Sequence, residues 1–168
     1  MMGLQLVSQI RVESLNNLGG CNMTDQQIKD TIRGFLQSSK AGDVKSALSF
    51  FTEDALWTSP HGTFKGTAQI EKFLTWMSTT NKERDVTEIG IGIITQGDIG
   101  VIEHKLSGIY FGGKWESPTV CIYEFKNGKI ANVRAFYDVL SEAQQASKGM
   151  FAKWIVNMVV NASRKGLK

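Results

Sequence analysis

The amino-acid sequence predicts a single α+β domain in which a strongly bent, mostly antiparallel sheet curls around one largely apolar pocket. Three helical stretches come first and a four-strand meander follows, the order of an α+β fold. Alternation with a period of two runs along the later segments, as half-buried strands require. Gly90, Gly92, Gly108, Gly112 and Gly113 fall where a tightly curved sheet needs bulges and bends.

The elements follow in chain order. Residues 1–22 have weak periodicity and end in Asn16-Asn17-Leu18-Gly19-Gly20, so they are expected to form a flexible leader. Thr24 and Gln27 have the spacing of a capping box, and Ile28, Ile32, Phe35 and Leu36 recur at helical intervals up to about residue 40. Gly42-Asp43 stops that helix. Asp43 caps a second one, carrying Val44, Ala47, Leu48 and Phe51 and ending near residue 53. A strand over 55–59, a turn at Pro60-His61-Gly62 and a short return strand lead to a third helix, which Thr67 is expected to cap. Strands over 86–95, 100–111, 115–126 and 129–137 come next, the last two joined by the hairpin signal Asn127-Gly128. A helix over 141–164, interruptible at Gly149, closes the chain. The expected division is a leader (1–22), a main domain (23–145) and a C-terminal amphipathic helix (146–168).

Bulk properties narrow the classes of function. The 168-residue chain is 42% hydrophobic and 21% charged, an ordinary globular balance. Its 19 basic and 16 acidic residues give +3, scattered apart from Arg164, Lys165 and Lys168, so no phosphate-tracking stripe points to nucleic acid. Cys21 and Cys121 lie too far apart for a metal-ligand spacing or a disulfide framework, and a reducing cytoplasm is the natural expectation. No cofactor, phosphate loop or metal site is expected. The stripe of Met150, Phe151, Trp154, Ile155, Met158 and Val159 needs cover, either by closing the pocket mouth or by packing on a second subunit of a homodimer; a membrane surface is the less favoured alternative.

The order helix, Gly42-Asp43, helix, Ala55-Leu56-Trp57, Pro60-His61-Gly62-Thr63-Phe64-Lys65-Gly66, helix, Asn127-Gly128-Lys129-Ile130, Arg134-Ala135-Phe136-Tyr137-Asp138 resembles the SnoaL-like family of the nuclear-transport-factor-2-like superfamily. The resemblance spans about residues 23–145. It implies a cone-shaped, cystatin-like α+β barrel whose curved mixed or antiparallel sheet wraps around helices and a central pocket. Hosts of this fold include isomerases, cyclases, epoxide hydrolases, dehydratases and non-catalytic binders, and the fold alone does not choose among them.

Carried over residue by residue, the functional positions of relatives are only partly kept. The tyrosine and two aspartates of ketosteroid isomerases correspond to Phe35, Ser59 and Cys121. The aspartate and histidine of SnoaL-type polyketide cyclases fall on Asp138 and Cys121. The aspartate–arginine–aspartate set of limonene-type epoxide hydrolases falls on Asp138, His104 and Leu106. Only Asp138 preserves a carboxylate.

Along the fourth strand of the chain, alternation turns Ile102, His104, Leu106, Gly108 and Tyr110 inward and sends Glu103 and Lys105 outward. A histidine on an apolar wall needs a hydrogen-bonding partner, and Asp138 is the expected one. The candidate catalytic pair is therefore Asp138 with His104, with a satisfied core histidine and a helix-capping aspartate as the plainer roles. Phe35, Trp57, Ser59, Leu106, Cys121, Tyr123, Arg134 and Phe136 are the expected pocket lining, to which Trp76 and Trp115 could add; an aromatic set of this kind is also what a plain core looks like. The functional expectation is an apolar small-molecule site with isomerase-, cyclase- or hydratase-type acid–base chemistry. A non-catalytic binding module and a dimeric interaction protein with a filled cone are the alternatives.

Overall fold

A computed structural model describes residues 23–110 and 112–166 of the chain, so the expected leader lies outside the described residues. The elements are α1 (Asp25–Ala41), α2 (Val44–Ser49), β1 (Phe51–Ser59), β2 (Gly62–Lys65), α3 (Gly66–Thr80), β3 (Asn81–Gln96), β4 (Ile99–Tyr110), β5 (Gly113–Lys126), β6 (Lys129–Phe136), α4 (Val139–Ala146) and α5 (Met150–Ser163). The strands form one sheet in the order β2-β1-β6-β5-β4-β3. All neighbours are antiparallel except β1 and β6, so the sheet is mixed.

Local chemistry explains most boundaries. Thr24 Oγ1 accepts from the Gln27 amide at 3.2 Å while the Thr24 amide donates to Gln27 Oε1 at 2.8 Å, the reciprocal capping box that starts α1. Asp43 caps α2 through the Ser46 amide at 3.0 Å. Thr67 does not cap α3: the helix begins at Gly66, and Gln69 Oε1 reaches back to the Lys65 amide at 2.9 Å instead. The second helix ends at Ser49 rather than near residue 53, because Phe51 joins β6 opposite Ile130 and is drawn into the sheet. The expected C-terminal helix is two helices, broken where Gly149 takes φ +82°.

Bulges bend the sheet. In β3 the register against β4 slips between Lys82 and Asp85 and again between Glu88 and Ile93, the second slip holding Gly90 and Gly92 at φ +63° and +74°. In β6 the register slips beside Ala131, between the pairs Glu124–Asn132 and Phe125–Ile130. That extra residue reverses the alternation: Ile130 is buried before it, and Val133 and Ala135 after it.

The concave face is filled at its deep end. Phe35 meets Phe51, Trp57 and Tyr123 edge-on at 5.2, 5.6 and 6.1 Å, and Trp57 meets Phe73 at 5.2 Å. Ile28, Ile32, Ile70, Ile102 and Val133 complete this core. By contrast, α5 leaves Met150, Phe151, Trp154 and Met158 exposed. No helix among the described residues is long and apolar enough to cross a membrane.

One contact caps α4 and two seat it on the sheet. Asp138 Oδ1 accepts from the Ser141 amide at 2.9 Å, Gln145 exchanges two hydrogen bonds with the Glu116 backbone at 2.9 and 3.0 Å, and Gly113 lies against the end of the helix. A Cβ on Gly113 would stand 2.0 Å from the Ala146 carbonyl oxygen, inside any allowed contact. Gly113→Ala should therefore push α4 off β5 and destabilise the fold by roughly 1–3 kcal/mol, as overpacking does. A denaturant midpoint unchanged from the parent would show that the helix shifts without cost.

Candidate functional site

At the wide end of the cone α3, β3, β4, β5 and α4 enclose a cavity of about 100 Å³. Trp76, Met77, Leu106, Tyr110, Trp115, Val139 and Ala143 supply its largely apolar wall, and His61, Arg84, Tyr137 and Glu142 its ionisable groups. Drug-sized sites occupy roughly 300–1,000 Å³, so this one suits a small ligand. Trp115 is oriented by donating its indole N–H to Asn81 Oδ1 at 3.1 Å.

Of the expected pocket residues, Leu106 lines this cavity, and Trp76 and Trp115 do so as well. Phe35, Trp57, Cys121 and Tyr123 face the concave side but are core. Burial pushes the Cys121 thiol up to about 12, which leaves it unreactive. Ser59 stands just behind the wall, accepting from the His61 amide at 3.2 Å with its hydroxyl turned to Tyr137. Arg134 and Phe136 point away from the cavity: Arg134 pairs with Glu124 on the outer face, and Phe136 is 56% exposed. The bulge beside Ala131 causes this reversal, and it makes Tyr137 rather than Asp138 the residue that the end of β6 delivers inward.

The expected pairing of His104 with Asp138 is not formed. Asp138 is exposed and its carboxylate caps α4, whereas His104 is buried to 1% exposure with no hydrogen-bond partner on Nδ1. Burial pushes the His104 imidazole down to about 4, with Arg84 adding to the fall and Glu88 opposing it. It is a buried, neutral residue at ordinary pH that does not line the cavity, inward as alternation along β4 predicts but without the expected partner.

Glu142 holds the position that sequence reasoning assigned to Asp138. Its Oε1 is buried without a hydrogen-bond partner, and burial raises the carboxyl to about 7; a hydrogen bond from the Ser117 hydroxyl opposes the rise and the Asp138 charge adds to it. Burial similarly raises the Tyr137 hydroxyl to about 12, so it stays protonated, and lowers His61 at the rim. Arg84, Tyr137 and Glu142 line the same cavity. A signal for Glu142 was present in the sequence: Val139, Glu142, Ala143 and Ala146 share one face of a helical turn, which sets a carboxylate among apolar neighbours. Among the described residues no group of three or more His, Cys, Asp or Glu side chains is placed to hold a metal ion.

An open mixed sheet of this order, folded over helices with a cavity at its wide end, defines the class of cone-shaped α+β domains typified by nuclear transport factor 2. The profile of the SnoaL-like domain matches residues 32–133, and the chain belongs to that family. Among curated proteins no relative matches it. Similar solved structures include a Catenulispora acidiphila protein with a ketosteroid isomerase-like fold in complex with trimethylamine, at 17% identity and TM-score 0.66 over 74% of this chain and 95% of that one. An M. tuberculosis LEH-like epoxide hydrolase is 14% identical, with TM-score 0.62 over 80% and 97% of the two chains. A nuclear-transport-factor-2-like protein of Burkholderia xenovorans is 20% identical, with TM-score 0.62 over 74% and 99%. These likenesses establish the fold.

Proposed function

We propose that the largely apolar cavity binds a small carbonyl compound and that Glu142, in place of Asp138 and His104, moves a proton on it. The observation that carries this reading is a carboxyl with an unpartnered oxygen in an aromatic wall, titrating near neutrality where a general acid–base is most effective. In the forward step the ionised Glu142 takes a proton from the carbon beside the carbonyl. The C–H electron pair moves into the new C=C bond and the carbonyl electrons move onto oxygen. Tyr137, whose oxygen faces the Ser59 hydroxyl, has its own O–H to donate to that oxygen. Returning the proton to another carbon completes an isomerase-type step, and collapse of the same enolate onto an internal electrophile would complete a cyclase-type one.

The test is deuterium exchange from D2O into a panel of small carbonyl compounds, followed by NMR. Exchange above the buffer rate in the parent, reduced roughly 10²–10⁴-fold in Glu142→Gln, is expected. Exchange unaffected by that substitution would remove Glu142 from the chemistry. Binding with no exchange by any compound would make the domain a non-catalytic module.

A further inference from the structure

Arg84 is a cation without a counter-charge. Its side chain lines the cavity because it sits in the first bulge of β3, where the register slips between Lys82 and Asp85 and alternation no longer decides direction. Its Nη1 donates to the Ser39 carbonyl at 3.2 Å and to Ser39 Oγ at 3.4 Å, near the C-terminal end of α1. Both acceptors are neutral oxygens. The carboxylates that follow it on the same strand are committed elsewhere, Asp85 to Lys40 and Glu88 to Arg33. No ion pair forms on Arg84 among the described residues, although Arg33, Lys40, Lys105 and Arg134 each have one.

A guanidinium carries five N–H donors in a planar fork suited to a carboxylate, and a single nitrogen bonded to Ser39 leaves most of that fork unused. A half-buried positive charge beside apolar surface is costly until an anion joins it. Glu142, on the same cavity wall, forms no ion pair with it among the described residues.

We infer that the compound taken into this cavity is a small 2-oxo acid, its carboxylate on Arg84, its carbonyl oxygen at Tyr137 and its C–H-acidic carbon at Glu142. This rests on the reading of the cavity as the ligand site and adds the substrate class. The set of groups on one wall decides it. A 2-oxo acid presents carboxylate, carbonyl and acidic carbon on three successive atoms, and the cavity wall supplies a cation, a hydroxyl donor and a carboxyl base to meet them. Trp76, Trp115 and Leu106 remain for a short apolar tail. A ligand of opposite charge, such as trimethylamine, would face Arg84 unfavourably.

Binding and chemistry are tested separately. The indole N–H signals of Trp76 and Trp115 in two-dimensional NMR report binding of 2-oxobutyrate, of its uncharged counterpart 2-oxobutanamide, and of trimethylammonium. Saturable shifts with 2-oxobutyrate are expected, at least 10-fold weaker with the amide or with Arg84→Gln. The Arg84→Lys variant should fall between. Equal affinity for acid and amide would overturn the carboxylate assignment while leaving the cavity a ligand site, as would preferred binding of trimethylammonium. Absence of any shift with 2-oxobutyrate overturns it as well. If Arg84→Gln fails to fold, the comparison of acid with amide in the parent decides. Binding of 2-oxobutyrate through Arg84 without deuterium exchange at its C3 would refute proton transfer by Glu142 and leave the carboxylate assignment standing.

Discussion

Glu142→Gln should melt about 2–8 °C higher than the parent at pH 8 and at the same temperature at pH 4, while losing proton-exchange activity. The sign follows from linkage. The Glu142 carboxyl titrates at about 7 in the folded chain against 4.5 ordinarily, so between those values the folded state holds more protons than the unfolded one. Stability contributed by this group is unaffected below about 4.5 and declines as pH rises, with the full penalty present above about 7. Glutamine has nearly the same shape and no charge to desolvate, so the variant escapes that decline. Each pKa unit corresponds to about 1.36 kcal/mol. Because Glu142 lies on a partly solvated wall, a discounted gain of roughly 1–2 kcal/mol is appropriate, and a chain of this size responds by about 2–4 °C per kcal/mol.

The difference between the two proteins isolates the group. His104 acts with the opposite sign, since burial holds it near 4, below its ordinary 6.5, and its contribution is complete above 6.5 and lost as pH falls toward 4. His61 is lowered in the same direction. Both are common to parent and variant and cancel in the comparison. Asp138, Tyr137 and Ser117 face Glu142 and are likewise retained. Thermal melts from pH 4 to 8 provide the check, and curves that stay parallel across the whole range would mean that Glu142 is an ordinary solvated carboxylate. A gain in stability with a loss of turnover is the trade-off expected of a group held in an unfavourable environment for its chemistry.

The fold was legible wherever local chemistry and tertiary demand agree. The capping box of Thr24 and Gln27 starts α1 where expected, and alternation along β4 correctly turns Ile102, His104 and Leu106 inward. The candidate site was legible only in part, because its decisive residues follow interruptions of pattern. A bulge beside Ala131 exchanges the two faces of β6, giving the cavity Tyr137 and solvent Phe136; a bulge after Lys82 turns Arg84 inward. Alternation has no means of registering an inserted residue. Asp138 acts through the backbone, capping the helix that delivers Glu142 one turn later.

The same distinction between concave face and cavity predicts the largest loss of stability. Phe35→Ala should destabilise the domain by about 3–5 kcal/mol, the range for deleting a buried aromatic ring. Phe35 is 2% exposed and packs edge-on against Phe51, Trp57 and Tyr123, rings supplied by β1 and β5, so its removal leaves a void that three elements must share. Phe35→Leu, which keeps most of the volume, should lose less than half as much. Because Phe35 does not line the cavity, folded Phe35→Leu should bind 2-oxobutyrate as the parent does. Urea denaturation with an unchanged m-value measures the first effect, and the Trp76 and Trp115 signals measure the second. Were Phe35 a wall of the binding site, the pattern would invert, with altered affinity and a small change in midpoint. Trp76→Ala, at a cavity wall that is already 37% exposed, should show that inverted pattern.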